Sequence, residues 1–259
     1  MASRSRVDIM PRTKKGRAME ARDEELKSIG DDNVDASRVL ERLLQERWSC
    51  RAFEGRPVPD ATIERLLRLA QRSASWSNLQ PWNVIVTRGA GTERFRSALR
   101  AHAQSEGDRT DSDFSRPVSY DGIYRDRRRE CGWRLYEAVG VERGDRTASA
   151  REALRNFDFF GAPHVAIVTT AQSLGVYGAV DCGLYLGTFL LAAQSLGLGA
   201  VAQAALARWG SFVRDYFSLP KDRLVLVGIS FGFPDLVHPA NGYRTSRAHL
   251  NEVVRWCDS

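Results

Sequence analysis

From Cys182 to Ala207 the chain runs for 26 residues without a charged side chain, and any fold it adopts must accommodate that run. As far as Leu196, apolar residues occupy every helical face, with Gly183, Gly187, Ala192 and Ala193 threaded among them. A helix that is apolar all round is expected to be buried all round. Gly197-Leu198-Gly199 stops it in the way glycine commonly does, and Ala200–Ala207 continues as small residues with one amide, Gln203. A membrane span is the competing reading, because the run exceeds the roughly 20 residues that a crossing helix needs. Against it stand Asp181 at one end, Gln194, Ser195 and Gln203 inside, the break at Gly197, and no flanking basic cluster. The sequence favours a buried central helix leading into a close-packed strand, whose small residues let backbone approach something flat and bulky.

At 259 residues the chain is long enough for one large domain or two small ones. The net charge of +6 raises nucleic-acid binding, but residues 1–17 hold six basic side chains against one acid, so nearly all of that charge belongs to them. Residues 1–36 read as a polar, disordered basic tail without the apolar core of a secretory signal. An Arg-rich targeting peptide and a true start at Met10 or Met19 are both compatible with it. The four cysteines and four histidines are scattered, which predicts neither disulfide framework nor metal site and points to a reducing, cytoplasmic setting. No lysine occurs from Ser28 to Pro220, which excludes a lysine-bearing phosphate loop. Any anion in the body must be held by arginine.

Helical spacing begins at Ser37 and runs to Glu46. It ends at Arg47-Trp48-Ser49-Cys50-Arg51, where two guanidinium groups and a hydroxyl suit an anion clamp and equally suit a solvated helix end. Asp60 is placed to cap a helix over 61–72. The loop 73–82 is dense in short hydrogen-bonding side chains, and a strand follows at 83–88. Helices are predicted over 92–103, 123–139 and 208–217, a long loop over 105–122, and strands over 164–170 and 224–232. The helix at 123–139 carries five arginines among aromatics, compatible with a nucleic-acid face, but the interspersed Asp126, Glu130 and Glu137 favour i,i+4 pairing.

Taken jointly, Arg47-x-Ser49-x-Arg51, Ser75-x-x-Asn78-x-Gln80-Pro81-Trp82, Asn156-x-x-Phe159-Phe160-Gly161-Ala162-Pro163, the helix-Gly-Leu-Gly segment and Tyr243-Arg244-Thr245-Ser246-Arg247 resemble the FMN-dependent nitroreductase family, nitrobenzoate-reductase-like branch, over residues 40–256. The resemblance implies an α+β fold, a three-layer α/β/α domain over 37–259 with a mixed, mainly antiparallel sheet and a long buried central helix. It also implies a homodimer with FMN at the subunit interface, the C-terminal arm reaching to the partner.

By the same resemblance Arg47 and Arg51 meet the phosphate and ribityl chain with Arg244 and Arg247, and Trp48 belongs to that clamp. Ser49 and Asn78 reach ribityl or ring-edge atoms, and Gln80 supports their loop. The backbone of Ala202, Gln203, Ala204 and Ala205 lines the isoalloxazine, with a peptide N–H near N5 at Gln203 and Ala204. Where the family usually has proline, this chain has Ala74 and Ala202. Residues 105–145 correspond to a lid, with Phe114, Tyr120, Tyr124 and Trp133 as substrate contacts. The implied activity is NAD(P)H-dependent reduction of nitroaromatic or related electron-poor acceptors by ping-pong hydride transfer, with no catalytic acid–base side chain and no metal. A reductive dehalogenase or another dehydrogenase on the same fold is the nearest alternative, although the lid lysine of similar deiodinases is missing. A non-enzymatic helical interaction module is the alternative from another class.

Overall fold

The computed structural model describes residues 35–257, so the expected tail over 1–34 lies outside them. The chain divides into two units, residues 1–46 and 47–259. The described part of the first is helix α1, residues 35–46, which starts two residues before Ser37 and leaves Val39, Leu40 and Leu44 exposed.

The second unit is built on a four-stranded antiparallel sheet in the order β1-β2-β4-β3, comprising β1 (Asn83–Thr87), β2 (His164–Ala171), β3 (Gly199–Gln203) and β4 (Arg223–Gly232). Strand β2 reads as a near-continuous apolar run, the pattern of a strand covered on both faces, and His164–Thr170 are all buried. Successive residues face opposite ways. Val165 and Ile167 enter one core, with Phe95 and Leu99 of α3 (Ala90–Glu106) and Val213 of α7 (Gly210–Tyr216). Ala166 and Val168 enter the other, with Ile63 and Leu66 of α2 (Asp60–Ala70) and Tyr185 and Phe189 of α6 (Gly175–Ser195). Three layers follow from that alternation. A bulge opposite Val168 and Thr169 leaves Leu226 as the extra residue of β4. Val225 therefore joins the first core while Val227 and Ile229 join the second.

One expectation is corrected, one helix is added and one expected helix is found. Asp60 is the first residue of α2 and not its cap; Pro59 holds that position, and Asp60 pairs with Arg88 at 2.8 Å, its charge favourable in the first turn. Helix α5 (Arg146–Leu154) has no apolar stripe, so periodicity gave no sign of it. It is started by Asp145, whose side chain accepts from Ala148 N at 2.8 Å. The charged helix expected at 123–139 is α4 (Gly122–Ala138), and it buries none of its residues.

The largest correction concerns α6. Within one chain it is covered on one side only, by α2, β2 and β3, with Asp181, Cys182, Tyr185, Phe189, Ala192 and Ala193 buried. The opposite side stays apolar and open: Val176 is 68% exposed, Tyr177 58%, Val180 54% and Leu184 49%. By length and composition alone α6 is long and apolar enough to cross a membrane. Its buried face, however, is a packed core face that carries a hydrogen-bonded Asp181.

Candidate functional site

Beyond α1 the segment 47–54 lies along the edge of the sheet. Ser49 pairs with Ala200 in the parallel sense, the only non-antiparallel pairing to β3 among the described residues, and Cys50 N donates to Ala200 O at 3.1 Å. Glu54 N donates to Phe233 O at 2.9 Å, and Asp235 N to Ala52 O at 3.1 Å. The close approach needs Gly199, since a Cβ there would lie 2.7 Å from Cys50 Sγ. Cys50 is fully buried, and burial pushes its thiol up to about 11; Cys182, inside α6, is likewise pushed up to about 11. Thiolate is the reactive form, so at pH 8 a thiol reagent should label Cys131 and Cys257 in the native protein and leave Cys50 and Cys182 unmodified. Mass spectrometry of the labelled peptides checks this, and rapid native labelling of Cys50 would contradict the packing.

A buried residue that the sequence reading did not single out organises the arginines. Asn241 Oδ1 accepts from Arg51 N at 2.8 Å and from Trp48 Nε1 at 3.4 Å, while its Nδ2 donates to Ala52 O at 2.9 Å and Asp235 O at 2.7 Å. All its hydrogen-bonding capacity is used, as a buried amide requires. The only sequence sign was its place in a Pro-Ala-Asn-Gly turn just ahead of an arginine-bearing segment. Arg51 is fixed further: Arg155 Nη2 donates to its carbonyl at 3.2 Å, and its own Nη1 donates to Ser49 O at 3.1 Å and Tyr243 Oη at 3.0 Å. Its guanidinium is thus oriented before any ligand arrives. Behind it the buried Glu152 leaves Oε1 without a partner and meets Arg155 at 3.5 Å.

Arg244 lies over the Trp48 ring, 4.4 Å from its centroid, and donates to Asn241 O at 2.8 Å. Among the described residues Arg247 donates only to Thr245 and Ser246 of its own turn. Arg47, half-buried, has no hydrogen bond or carboxylate partner among the described residues. Burial, and next the like charge of Arg247, hold its pKa below the usual arginine value. Two guanidinium groups from opposite ends of the chain are thus near enough for the charge of one to act on the other, and neither has an ion-pair partner among the described residues. Such a pair is unfavourable unless an anion joins it.

Beside this cluster runs β3. The Ala200 carbonyl points away from β4, toward Cys50, so with a two-residue period the backbone N–H and C=O of Ala202 face the same free edge. Ala202 and Ala204 are exposed and Ala205 half-buried, so this edge presents only methyl groups. The Gln203 side chain turns inward instead, donating to Asn156 O at 3.0 Å and accepting from Ser230 Oγ. It anchors the strand, and its backbone, one residue out of phase with Ala202, pairs toward Gly228 of β4.

The 75–80 loop sits elsewhere. Ser77, Asn78 and Gln80 have positive φ of 49°, 57° and 47°, a backbone that non-glycine residues adopt rarely. Trp76 N donates to both Asp181 carboxylate oxygens at 3.1 and 3.2 Å, and Gln80 bonds Asn78, Ser75 and Gln71. None of its hydrogen bonds among the described residues reaches the arginine cluster. Within one chain Asn78 and Gln80 are therefore not brought together with Arg47, Ser49 and Arg51. The four proposed substrate contacts lie on the loop before α4 and on α4 itself. Phe114 is half-buried beside Asp113, which accepts from Val225 N at 2.7 Å. Tyr120 lies under Arg128, Trp133 under Arg143, and Tyr124 is 69% exposed.

Residues 44–233 match the model of the nitroreductase family. The nitroreductase NfnB of Mycolicibacterium smegmatis is 36% identical over 225 residues, covering 86% of this chain and 94% of that protein. A 4-nitrobenzoate reductase of Nocardioides is 33% identical over 85% of this chain and 91% of its own. The crystal structure of the FMN-dependent NfnB from Mycobacterium smegmatis in complex with NADPH superposes with a TM-score of 0.81 at 34% identity, over 86% of this chain and 99% of that one. With the family model matched over most of its length and a relative 36% identical over 86% of it, the chain belongs to the nitroreductase family.

Proposed function

We propose that the protein is an FMN-dependent oxidoreductase that uses NAD(P)H to reduce nitroaromatic or related electron-poor small molecules. The observation that carries this reading is the Arg47–Arg247 pair, which lacks any acidic partner among the described residues. The chain's own groups fit FMN. Arg47 and Arg247 would hold the phosphate, with Arg244 stacked on Trp48 closing the same side. Ser49 and the pre-oriented Arg51 lie next along the chain for the ribityl hydroxyls. The methyl-only edge at Ala202, Ala204 and Ala205, with an unpaired peptide N–H, suits a flat ring. When bound, the flavin supplies the hydride-accepting and hydride-donating chemistry. The protein's part is to position it, to place a neutral donor at its edge and to set positive charge beside it; no side-chain acid or base is required.

The reading includes a homodimer. The open face of α6, the exposed Trp76 (57%) and Leu79 (54%) beside it, and the Trp76–Tyr177 edge contact at 4.5 Å form one apolar surface. Gly183 and Gly187 leave room on their own side, with no atom within 4 Å of an added Cβ. A second copy seated there would bring its 75–80 loop to the first copy's arginines, accounting for Asn78 and Gln80 lying apart from them in a single chain. Residues 105–145 would then serve as a lid, with Phe114, Tyr120, Tyr124 and Trp133 supplied to substrate. The four cysteines, none paired in a disulfide, suit a cytoplasmic setting.

The test is purification with FMN, an absorbance spectrum, and NAD(P)H consumption with p-nitrobenzoate, nitrobenzene and iodotyrosine. A yellow protein that consumes NAD(P)H with the nitro compounds is expected. A colourless protein after reconstitution would sink the reading, and turnover of iodotyrosine alone would shift it to a dehalogenase.

A further inference from the structure

We propose that the cleft between α4 and the C-terminal arm is the seat of the 2′-phosphate of NADPH, and that Arg127 and Arg134 make the enzyme select NADPH over NADH. The inference rests on the proposed flavin reductase reading and goes beyond it by naming the co-substrate and the residues that read it. The cleft has a volume of about 740 Å³; Arg127 and Arg134 line it from α4 and Thr245, Ser246 and Arg247 from the arm, with the carboxylates Glu130 and Glu252 also in its lining. That size accommodates one end of a dinucleotide.

Helix α4 contributes nothing to either core, since none of its residues is buried. Its 17 residues nevertheless hold a definite place, packing on the Pro239–Asn241 turn, with Arg134 Nη1 donating to Arg244 O at 3.3 Å. A helix that buries nothing but is held against the arm calls for another reason to be there, and three converging guanidinium groups supply one. Arginine forks suit phosphate oxygens, and the Thr245 and Ser246 hydroxyls are further donors for them.

The present partners of these arginines are exchangeable. Arg127 meets Glu252 at 3.5 Å with both side chains nearly half exposed, and Arg134 meets Glu130 at 2.9 Å under similar exposure. Pairs this open contribute little. A phosphate monoester carries roughly two negative charges at neutral pH and would outcompete a single solvated carboxylate at 3.5 Å. Arg247 lines this cleft, and its charge acts on Arg47. The cleft therefore adjoins the flavin-phosphate position, where the outer end of a dinucleotide whose nicotinamide meets the flavin can reach. NADH lacks the 2′-phosphate and would gain nothing from Arg127 or Arg134.

The experiment uses the flavin-loaded protein. Calorimetric titration with adenosine 2′,5′-bisphosphate and with 5′-AMP reads the subsite without turnover, and kcat/KM for NADPH and NADH reads selectivity. A charge-assisted hydrogen bond to phosphate corresponds to about a tenfold effect or more. The wild type should bind the bisphosphate about tenfold or more tighter than 5′-AMP. Combining Arg127→Ala with Arg134→Ala should collapse that difference to below about threefold and lower the NADPH/NADH ratio of kcat/KM about tenfold. Arg125→Ala, on the same helix but outside the cleft, should change neither. Glu252→Gln frees Arg127 without removing it and should tighten the bisphosphate by a few-fold, an arm that survives if the double variant fails to fold. Equal affinity of the wild type for both nucleotides, or equal loss with both coenzymes, overturns the proposal. So does loss of FMN from the double variant, which would assign the cleft to the flavin's own phosphate. A wild type that binds no flavin would instead refute the underlying reading.

Discussion

Combining Arg47→Ala with Arg247→Ala is expected to yield a folded protein that no longer retains FMN, with a dissociation constant raised at least about a hundredfold. Each charge-assisted bond to a phosphate is worth roughly 1.5–3 kcal/mol, and about 1.4 kcal/mol is a factor of ten. The two single effects should not simply add. Burial, and after it the like charge of Arg247, hold the Arg47 pKa down, so an anion relieves a repulsion that either single change has already removed. Each single variant should therefore lose more than half of the double variant's binding energy. Arg47→Lys keeps the charge but not the planar fork and should fall between. Flavin fluorescence titration measures all four constants. Apoprotein melting temperature separates this from a folding defect, because removing one of two interacting like charges should leave the apoprotein as stable as before or slightly more so. If the double variant still purifies with one FMN per chain, the phosphate lies elsewhere.

What could be read from residue order was whatever local chemistry writes down. Strand β2 announced itself through an unbroken apolar run, and α2 and α3 through their 3–4 spacing. The stop at Gly197 has the positive φ of 71° that its residue type suggests. The arginine segments stood out because no lysine occurs from Ser28 to Pro220. Several features could not be read. Asn241 is a single amide whose importance lies in four bonds to residues 6 to 193 positions away. Helix α5 has only a cap and no stripe. The Gln203 side chain was indistinguishable from a ligand-facing amide until Asn156 and Ser230 were found to occupy it. The one misleading signal was the uniform greasiness of α6. Composition says that all its faces are covered, but it cannot say whether the cover comes from the same chain.

That distinction yields the second large effect. If the open face of α6 is the subunit contact of the proposed homodimer, Val180→Glu should yield a folded monomer that has also lost most of its FMN affinity. In a single chain Val180 is 54% exposed, so a glutamate there would change monomer stability by no more than about 0.5 kcal/mol. In a two-fold dimer the substitution appears twice on the same apolar surface, among Val176, Tyr177, Leu184 and Trp76, with no cationic side chain among those neighbours. Desolvating an unpaired carboxylate costs several kcal/mol, enough to raise the dimer dissociation constant about a thousandfold or more. Val118→Glu, at a side chain fully exposed on the long loop before α4, should leave assembly unchanged. Sedimentation equilibrium reads the mass, and the same sample's absorbance reads the flavin. Joint loss of both is the telling outcome, because the monomer keeps every residue of the arginine cluster and lacks only the 75–80 loop of a second copy. A monomer that holds FMN at full affinity would show that Asn78 and Gln80 have no part in the site. A variant that stays dimeric would place the subunit contact on another face.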